Sequence, residues 1–343
     1  MADTSFASAD ALTNKKWATD LFYQAHLDLF FAKYIGDGPD NIIQRKKDLE
    51  KDAGDRLTYG LLMNLSGAGT VGDLMLEGNE EALVFYDDTV TIDQIRHAVR
   101  VGGRMTSQRV PYNLRTEARD ALKYWMSDMI DTKIMNHLDG VTTETFPNVA
   151  LAPSANRLMY AGTATSTATI DATMKMDLTL LDEAKVKAKM ATPKIRPVKI
   201  KGQEFYVVIM GTYQARDLRR NTNTGQWMDI QKMANVRGTD NPIFSGSLGV
   251  YNGMILFEYE KMPTYTTWGA GANVGGGEAM LLGAQAAVIA YGKGDGESAT
   301  WFEKEFDYGN KQGVSGGLVW GVKKCRFNNE DFGVIVLRTA AAA

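Results

Sequence analysis

Gly67, Gly69 and Gly72 spell G-x-G-x-x-G inside "GLLMNLSGAGTVGDLMLEGNEEALVFYDD", residues 60–88, which closes on Asp87 and Asp88. Glycines at this spacing let backbone N–H groups approach a pyrophosphate, and an acid about twenty residues on holds a ribose hydroxyl. That chemistry requires a central parallel strand before the glycines and a helix that opens on them. Here Leu57, Tyr59, Leu61, Met63 and Leu65 alternate with Thr58, Gly60, Asn64 and Ser66, with Leu62 the exception. Period two marks a strand with one covered face, whereas a buried parallel strand reads as a continuous apolar run. Val71, Leu74 and Met75 share a helical face, but Gly72 and Gly78 interrupt it, each costing about 1 kcal/mol relative to Ala. The stretch reads as a flexible Gly-rich connection between two strands. A nucleotide-dependent oxidoreductase using the Gly67–Gly72 loop is the alternative.

Other reactive residue types are less well placed. Cys325 lies in "GVKKCRF", where Lys323, Lys324 and Arg326 could lower a thiol's pKa. On an alternating strand it faces away from its immediate neighbours, which favours a buried small hydrophobe. Asp87/Asp88 and Glu80/Glu81 are carboxylate pairs, but acid–base work needs both carboxyls in one desolvated cleft. Adjacent strand residues face opposite ways, so these read as solvated turn residues. His26, His97 and His137 are far apart, and a single cysteine offers no zinc-ligand spacing. There is no G-x-S-x-G, no H-E-x-x-H, and no G-K-[ST] after the glycines of "GAGANVGGG". The expected catalytic, cofactor-binding and metal-binding residues are therefore none.

The totals bound the answer further. At 343 residues the chain exceeds the roughly 250–300 at which single cores stop growing, so two lobes or long extensions are expected. Apolar residues at 44% and charged ones at 23% are those of a folded protein. A net charge of −3 argues against a surface that grips nucleic acid. One cysteine excludes an internal disulfide and fits a reducing compartment. "MADTSFASADAL" lacks the charged start and apolar core of a secretory signal, and no apolar run approaches eighteen residues, so no membrane partner is expected.

The elements follow from periodicity. Trp17, Leu21, Phe22, Ala25, Leu29 and Ala32 form a helical stripe, with Phe30, Phe31 and Tyr34 off it; the helix packs on its own domain or on a second partner. "IIQRKKDLEKDAGDR" reads as a solvated charged face. Strands are predicted over Leu57–Leu65 and Leu83–Ile92, joined antiparallel through Ser66–Glu81. The second run continues with Ile95, His97, Val99 and Val101. A helix is predicted from Pro111 to Asp139, with Leu114, Ala118, Ala121, Leu122, Trp125 and Met129 on one face and Met126, Ile130, Ile134 and Leu138 on the next. Gly140 is its stop. Leu122 and Trp125 are expected to be buried. Its wide apolar stripe implies contact with a sheet and with something else. A second helix is predicted over 172–191, capped by Asp171 and ended by Pro193. Later come a buried strand in "EFYVVIMG", a short helix in "QWMDIQKMAN" and a hairpin turn at Asn252-Gly253. "GAGANVGGGEAMLLGAQAAVIAYG" reads as a glycine loop and a small-residue apolar segment, and the C-terminus as three strands with Gly turns.

This order resembles the capsid fold of tailed phages, the Hong Kong ninety-seven type. "LEGNEEALVFYDDTVTIDQIRHAVRVGGRMTSQRVPYNLRTEARDAL", residues 76–122, is similar to a signature region of the N-four-like tailed-phage major capsid protein family. "LGVYNGMILFEYEKMP", "AMLLGAQAAVIAYGKG" and "DYGNKQGVSGGLVWGVKKCRFNNEDFGVIVLRTA" are similar to its later blocks. The resemblance covers the chain from about Gly54 onward and brings no catalytic residue with it.

The resemblance implies an α+β chain: N-terminal arm 1–53, extended β-ribbon loop 54–101, peripheral domain 102–162 with spine helix 111–139, axial domain 163–292, and return strands 293–343. It implies a major capsid protein that self-assembles into an icosahedral head shell around phage double-stranded DNA; another virion structural protein on a similar fold is a further alternative. The ribbon would lie across a neighbouring subunit, with Gly67, Gly69, Gly72, Leu74, Met75 and Leu76 as assembly residues. Implied partners are the chain itself in hexameric and pentameric capsomers, portal and scaffolding proteins, and DNA bound without sequence specificity. Implied locations are the host cytoplasm for synthesis and the virion capsid thereafter.

Overall fold

Period two in Arg56–Leu62 becomes an alternation of exposed and half-buried side chains along one strand. It pairs antiparallel with Phe85–Thr91, Leu57 opposite Val90 and Leu61 opposite Tyr86. One more rung follows where Met63 N donates to Val84 O at 3.0 Å. These strands make the expected ribbon in a computed structural model that describes residues 29–51, 53–109, 114–200, 202–221, 248–292 and 300–341. The predicted stripe over Trp17–Ala25, the helix in "QWMDIQKMAN" and the Pro111 start lie outside the described residues.

The alternation after Val84 is two strands, not one. Apolar positions run even to Ile92 and odd from Ile95, and the chain breaks at that change of parity. Asp93–Arg100 leaves the ribbon and pairs with the long strand Lys311–Lys324, Ile95 opposite Leu318. Lys311–Lys324 also pairs with Thr300–Phe306 and Ala287–Tyr291, and Ala287–Tyr291 runs parallel to Ile43–Lys46. With Ile35–Gly36 these form a six-stranded sheet.

A second sheet of eight strands is ordered Leu158–Tyr160, Val334–Ala340, Val274–Leu282, Gln203–Met210, Met254–Glu258 and Gly249–Tyr251, with Thr264–Trp268 and Val198–Ile200 at its sides. The predicted buried strand is Gln203–Met210, covered on both faces. Val207 and Ile209 join one apolar cluster, while Tyr206, Val208 and Met210 join another. Asn252 and Gly253 both take left-handed φ, 44° and 70°, at the expected hairpin. "GAGANVGGGEAMLLGAQAAVIAYG" is more than a loop and one segment: it supplies Val274–Leu282 to this sheet and Ala287–Tyr291 to the other.

The long helix, Leu114–Asp139, joins the sheets. Met126, Ile130, Ile134 and Leu138 share one cluster with Leu318, Trp320 and Val322 of the six-stranded sheet and with Met280, Leu282 and Val336 of the other. Each such buried side chain contributes about 1.5–3 kcal/mol. Leu122 is buried as expected, with Trp301 and Val314. Trp125 is only half-buried, packed at the edge of the main cluster with its ring 4.5 Å from His97, and Ala121 is exposed. Gly140 ends the helix at φ 87°, and Val141 N closes on Asn136 O at 3.0 Å. A short helix, Arg104–Arg109, precedes it.

The second helix starts later than predicted, at Leu178, and its cap is Asp177, whose carboxylate accepts Leu180 N at 2.9 Å. Asp171 instead holds Thr173 N in a turn. Met174 O takes Ala340 N at 2.8 Å, so a contact with the C-terminal strand keeps 172–176 out of the helix. Leu178–Met190 and Thr212–Arg220 cover the far face of the eight-stranded sheet.

Candidate functional site

The connection between the ribbon strands, residues 63–84, carries a run of open apolar side chains. Leu74, Met75 and Leu76 are 72%, 71% and 61% exposed, and Leu65, Val71, Leu83 and Val84 are exposed with them. None of these side chains joins a buried apolar cluster. Gly69 and Gly72 adopt left-handed φ of 74° and 69°, which other residues rarely take. The loop is shaped by its own short-range bonds. Glu81 accepts Ser66 N and Gly67 N, both at 2.7 Å, and Ser66 Oγ at 3.0 Å. Those backbone bonds hold its carboxyl below the usual range. Asn79 N donates to Leu76 O and its side chain to Met75 O.

This geometry removes the nucleotide reading. The strands flanking Gly67–Gly72 are antiparallel, no helix opens on the glycines, and the Ser66 and Gly67 amides already serve Glu81. Glu81 is thus a loop staple and not merely a solvated turn residue.

The ribbon's base is built differently. Leu57, Tyr59, Leu61 and Tyr86 pack on Val288, Ala290, Cys325, Phe327 and Phe332 of the same chain. The inner face of the base is therefore covered by its own subunit, whereas the apolar side chains of the tip, with Leu62 and Phe85 next to it, are exposed. Cys325 is buried here, and burial pushes its thiol up to about 12, so it is the small hydrophobe expected. Asp88 differs from the solvated residue expected: its carboxylate accepts Tyr59 Oη at 2.9 Å and Arg326 N at 3.1 Å, and pairs with Lys323 Nζ. Asp87 points the opposite way and is exposed.

Elsewhere the titratable groups serve packing. Asp331 is fully buried and accepts Lys324 Nζ at 3.0 Å, Arg326 Nε at 2.9 Å and Ser154 N at 3.1 Å. Asp131, on the long helix, accepts Phe30 N and Phe31 N at 2.9 and 3.2 Å, tying the start of the described chain to the helix. Burial, then the neighbouring Glu278, pushes the Asp139 carboxyl well above its ordinary value. Burial pulls His137 down to about 4. Among the described residues no three His, Cys, Asp or Glu side chains converge as metal ligands, and no helix is long and apolar enough to cross a membrane.

Residues 5–343 match the sequence model of the family described as phage capsid protein. The chain belongs to that family. This capsid protein is 33% identical to the major capsid protein of Pseudomonas phage KPP25 over 98% of both chains. Its fold matches the capsid of Ralstonia phage GP4 with a TM-score of 0.82 at 35% identity, covering 100% of this chain and 99% of that one. It matches the cyanophage Pam1 capsid with a TM-score of 0.78 at 24% identity over the whole of both chains, a likeness of fold. The resemblance carried by residues 76–122 and the later blocks is thereby borne out. The capsid protein has the Hong Kong ninety-seven-type fold and is a structural protein of the virion, not an enzyme. It is a major capsid protein whose copies self-assemble into the head shell.

Proposed function

We propose that the ribbon tip is the contact through which one subunit engages the next in hexameric and pentameric capsomers, with Leu74, Met75 and Leu76 as its apolar contacts and Gly67, Gly69 and Gly72 as its adaptable backbone. One observation carries this reading: a firmly seated ribbon ends in a cluster of bare apolar side chains. Monomers seldom leave such groups in water without a partner. Residues 111–139 are the spine of a peripheral domain over 102–162 and 293–343, residues 163–292 the axial domain that meets its copies at the capsomer centre, and 1–53 the arm. Synthesis takes place in the host cytoplasm, and portal and scaffolding proteins complete the partners. The shell encloses double-stranded DNA, and a net charge of −3 suits a lining against which DNA slides without counterion-releasing grip.

Replacing Asn64–Leu76 by a short Asn-Gly turn tests this. The subunit should fold, since no tip side chain enters a core, while shell formation is lost in sedimentation and negative-stain images. Hydrogen exchange should be fast in the tip of free subunits and slow in particles. Normal shells from the shortened chain, or equal exchange in both states, overturn the reading.

A further inference from the structure

The ribbon's base contains both a clasp and a void. Asp88, its side chain 9% exposed, gathers donors from three places. Tyr59 Oη comes from the opposite ribbon strand, Thr89 N (2.8 Å) from its own, and Lys323 Nζ and Arg326 N from the C-terminal segment of the body. Lys323 Nζ also donates to Thr89 O at 2.9 Å. Beside this clasp lies a partly open cavity of about 110 Å³ between Tyr59, Gly60 and Leu61 of the ribbon and Val288, Cys325 and Phe332 of the body, with Gln44, Lys46 and Gln285 also on its wall. Close packing normally fixes how two elements lie on one another. Here the packing of Leu57, Tyr59, Leu61 and Tyr86 on the body is interrupted by that gap, and the directional bonds at Asp88 add to it in setting the ribbon's bearing.

We infer that Asp88 is a positioning residue: its clasp fixes the tilt at which the ribbon leaves the body, and that tilt sets the curvature of the assembled shell. The inference rests on the reading that the tip engages a neighbouring subunit. The lever is short but effective. At about 3.3 Å per residue, the ladder runs on for roughly 13 Å past Asp88, and a tilt of about 10° moves its end by about 2 Å and the tip beyond it by more. A shift of that size is larger than apolar packing tolerates without re-registering. Without the clasp the ribbon can sink toward the cavity, and neighbouring subunits meet at a spread of angles.

The test compares Asp88→Ala and Asp88→Asn with the natural chain, as purified subunits and after assembly. The expected result is folded subunits whose thermal midpoint falls more in Asp88→Ala than in Asp88→Asn, at least tenfold faster amide exchange over Leu57–Leu61, unchanged exchange in Leu114–Asp139, and particles of widened diameter distribution or open sheets. Adding Val288→Ile, which puts a methylene toward the cavity, should narrow the distribution again by supporting the ribbon through packing. Uniform particles of natural diameter from both Asp88 variants overturn the inference. So does failure of both variants to fold, which would make Asp88 a stability residue. If the shortened-tip chain assembles normally, the tip reading itself has failed; if that chain fails while the Asp88 variants build normal shells, only the clasp has failed.

Discussion

Replacing Asp331 by Ala should cost the subunit about 4 kcal/mol. The carboxylate is fully buried between Lys324 Nζ, whose side chain is 2% exposed, and Arg326 Nε, at 3.0 and 2.9 Å. Removing one member of a buried ion pair costs about 3–5 kcal/mol, because the partner stays charged and out of water. Ser154 N loses its acceptor too, worth about 1 kcal/mol, while Arg326, more exposed, offsets part of its loss by turning to solvent. Against a typical 5–15 kcal/mol of total stability this is a large fraction. Urea denaturation of unassembled subunits measures it; at a slope near 3 kcal/mol per molar, the midpoint should fall by more than 1 M. The pH dependence gives a second check. Burial lowers the Lys324 pKa, and loss of its carboxylate lowers it further. The folded variant then binds fewer protons than the unfolded chain, so its stability rises with pH up to the ordinary lysine value near 10.4. The deficit should therefore shrink between neutral pH and about 10. Lys324→Met with Asp331→Leu should recover at least half of it. A deficit under about 1 kcal/mol, or one that ignores pH, refutes the account.

Gly140→Ala should lower the melting temperature of the subunit, costing more than about 1–2 kcal/mol, because the residue sits at φ 87° and a Cβ would fall on Leu151 O; an unchanged melt contradicts this. With His137 held near 4 by burial, the folded state binds fewer protons at this group below about pH 6.5, so its contribution to stability is full above that value and falls by about 3 kcal/mol as pH drops to 4, against an opposing gain from the raised Asp139 carboxyl. His137→Met should flatten that slope in urea titrations across the interval. Leu122→Ala should cost about 2–5 kcal/mol, whereas Trp125→Ala, half-buried against His97, should cost less and leave soluble folded subunits; equal losses would place Trp125 in the core.

What could be read from the sequence was local. The Asn252-Gly253 turn and the Gly140 stop are set by neighbouring residues and stand where expected, and the period-two strand expected over Leu57–Leu65 is present but ends at Leu62. The tip residues were legible as an apolar Gly-rich loop without a helix. What misled was competition from distant chain. Asp171 and Asp177 are equally good caps; Ala340 decides between them by taking Met174 O. Trp125 fits the helix stripe, but the sheets bury a neighbouring face. Asp88 looked like a turn acid because Lys323 and Arg326 lie more than two hundred residues away. The parity change between Ile92 and Ile95 was a visible signal for the break after the ribbon, and an unbroken run hid it.

The order in which the chain is made gives the long strand Lys311–Lys324 a further consequence. A ribosome delivers the ribbon and the helix early, but Asp88 must wait for Lys323, 235 residues later, and Asp93–Arg100 for the strand that pairs with it. At about 5–20 residues per second, that is roughly 10–50 seconds in which the ribbon has no fixed bearing. A chain released before Lys311 never acquires one. If the tip is the contact between subunits, only finished chains present it correctly aimed, and the pairing order itself then screens incomplete products out of a lattice in which one faulty copy would be locked among many sound ones.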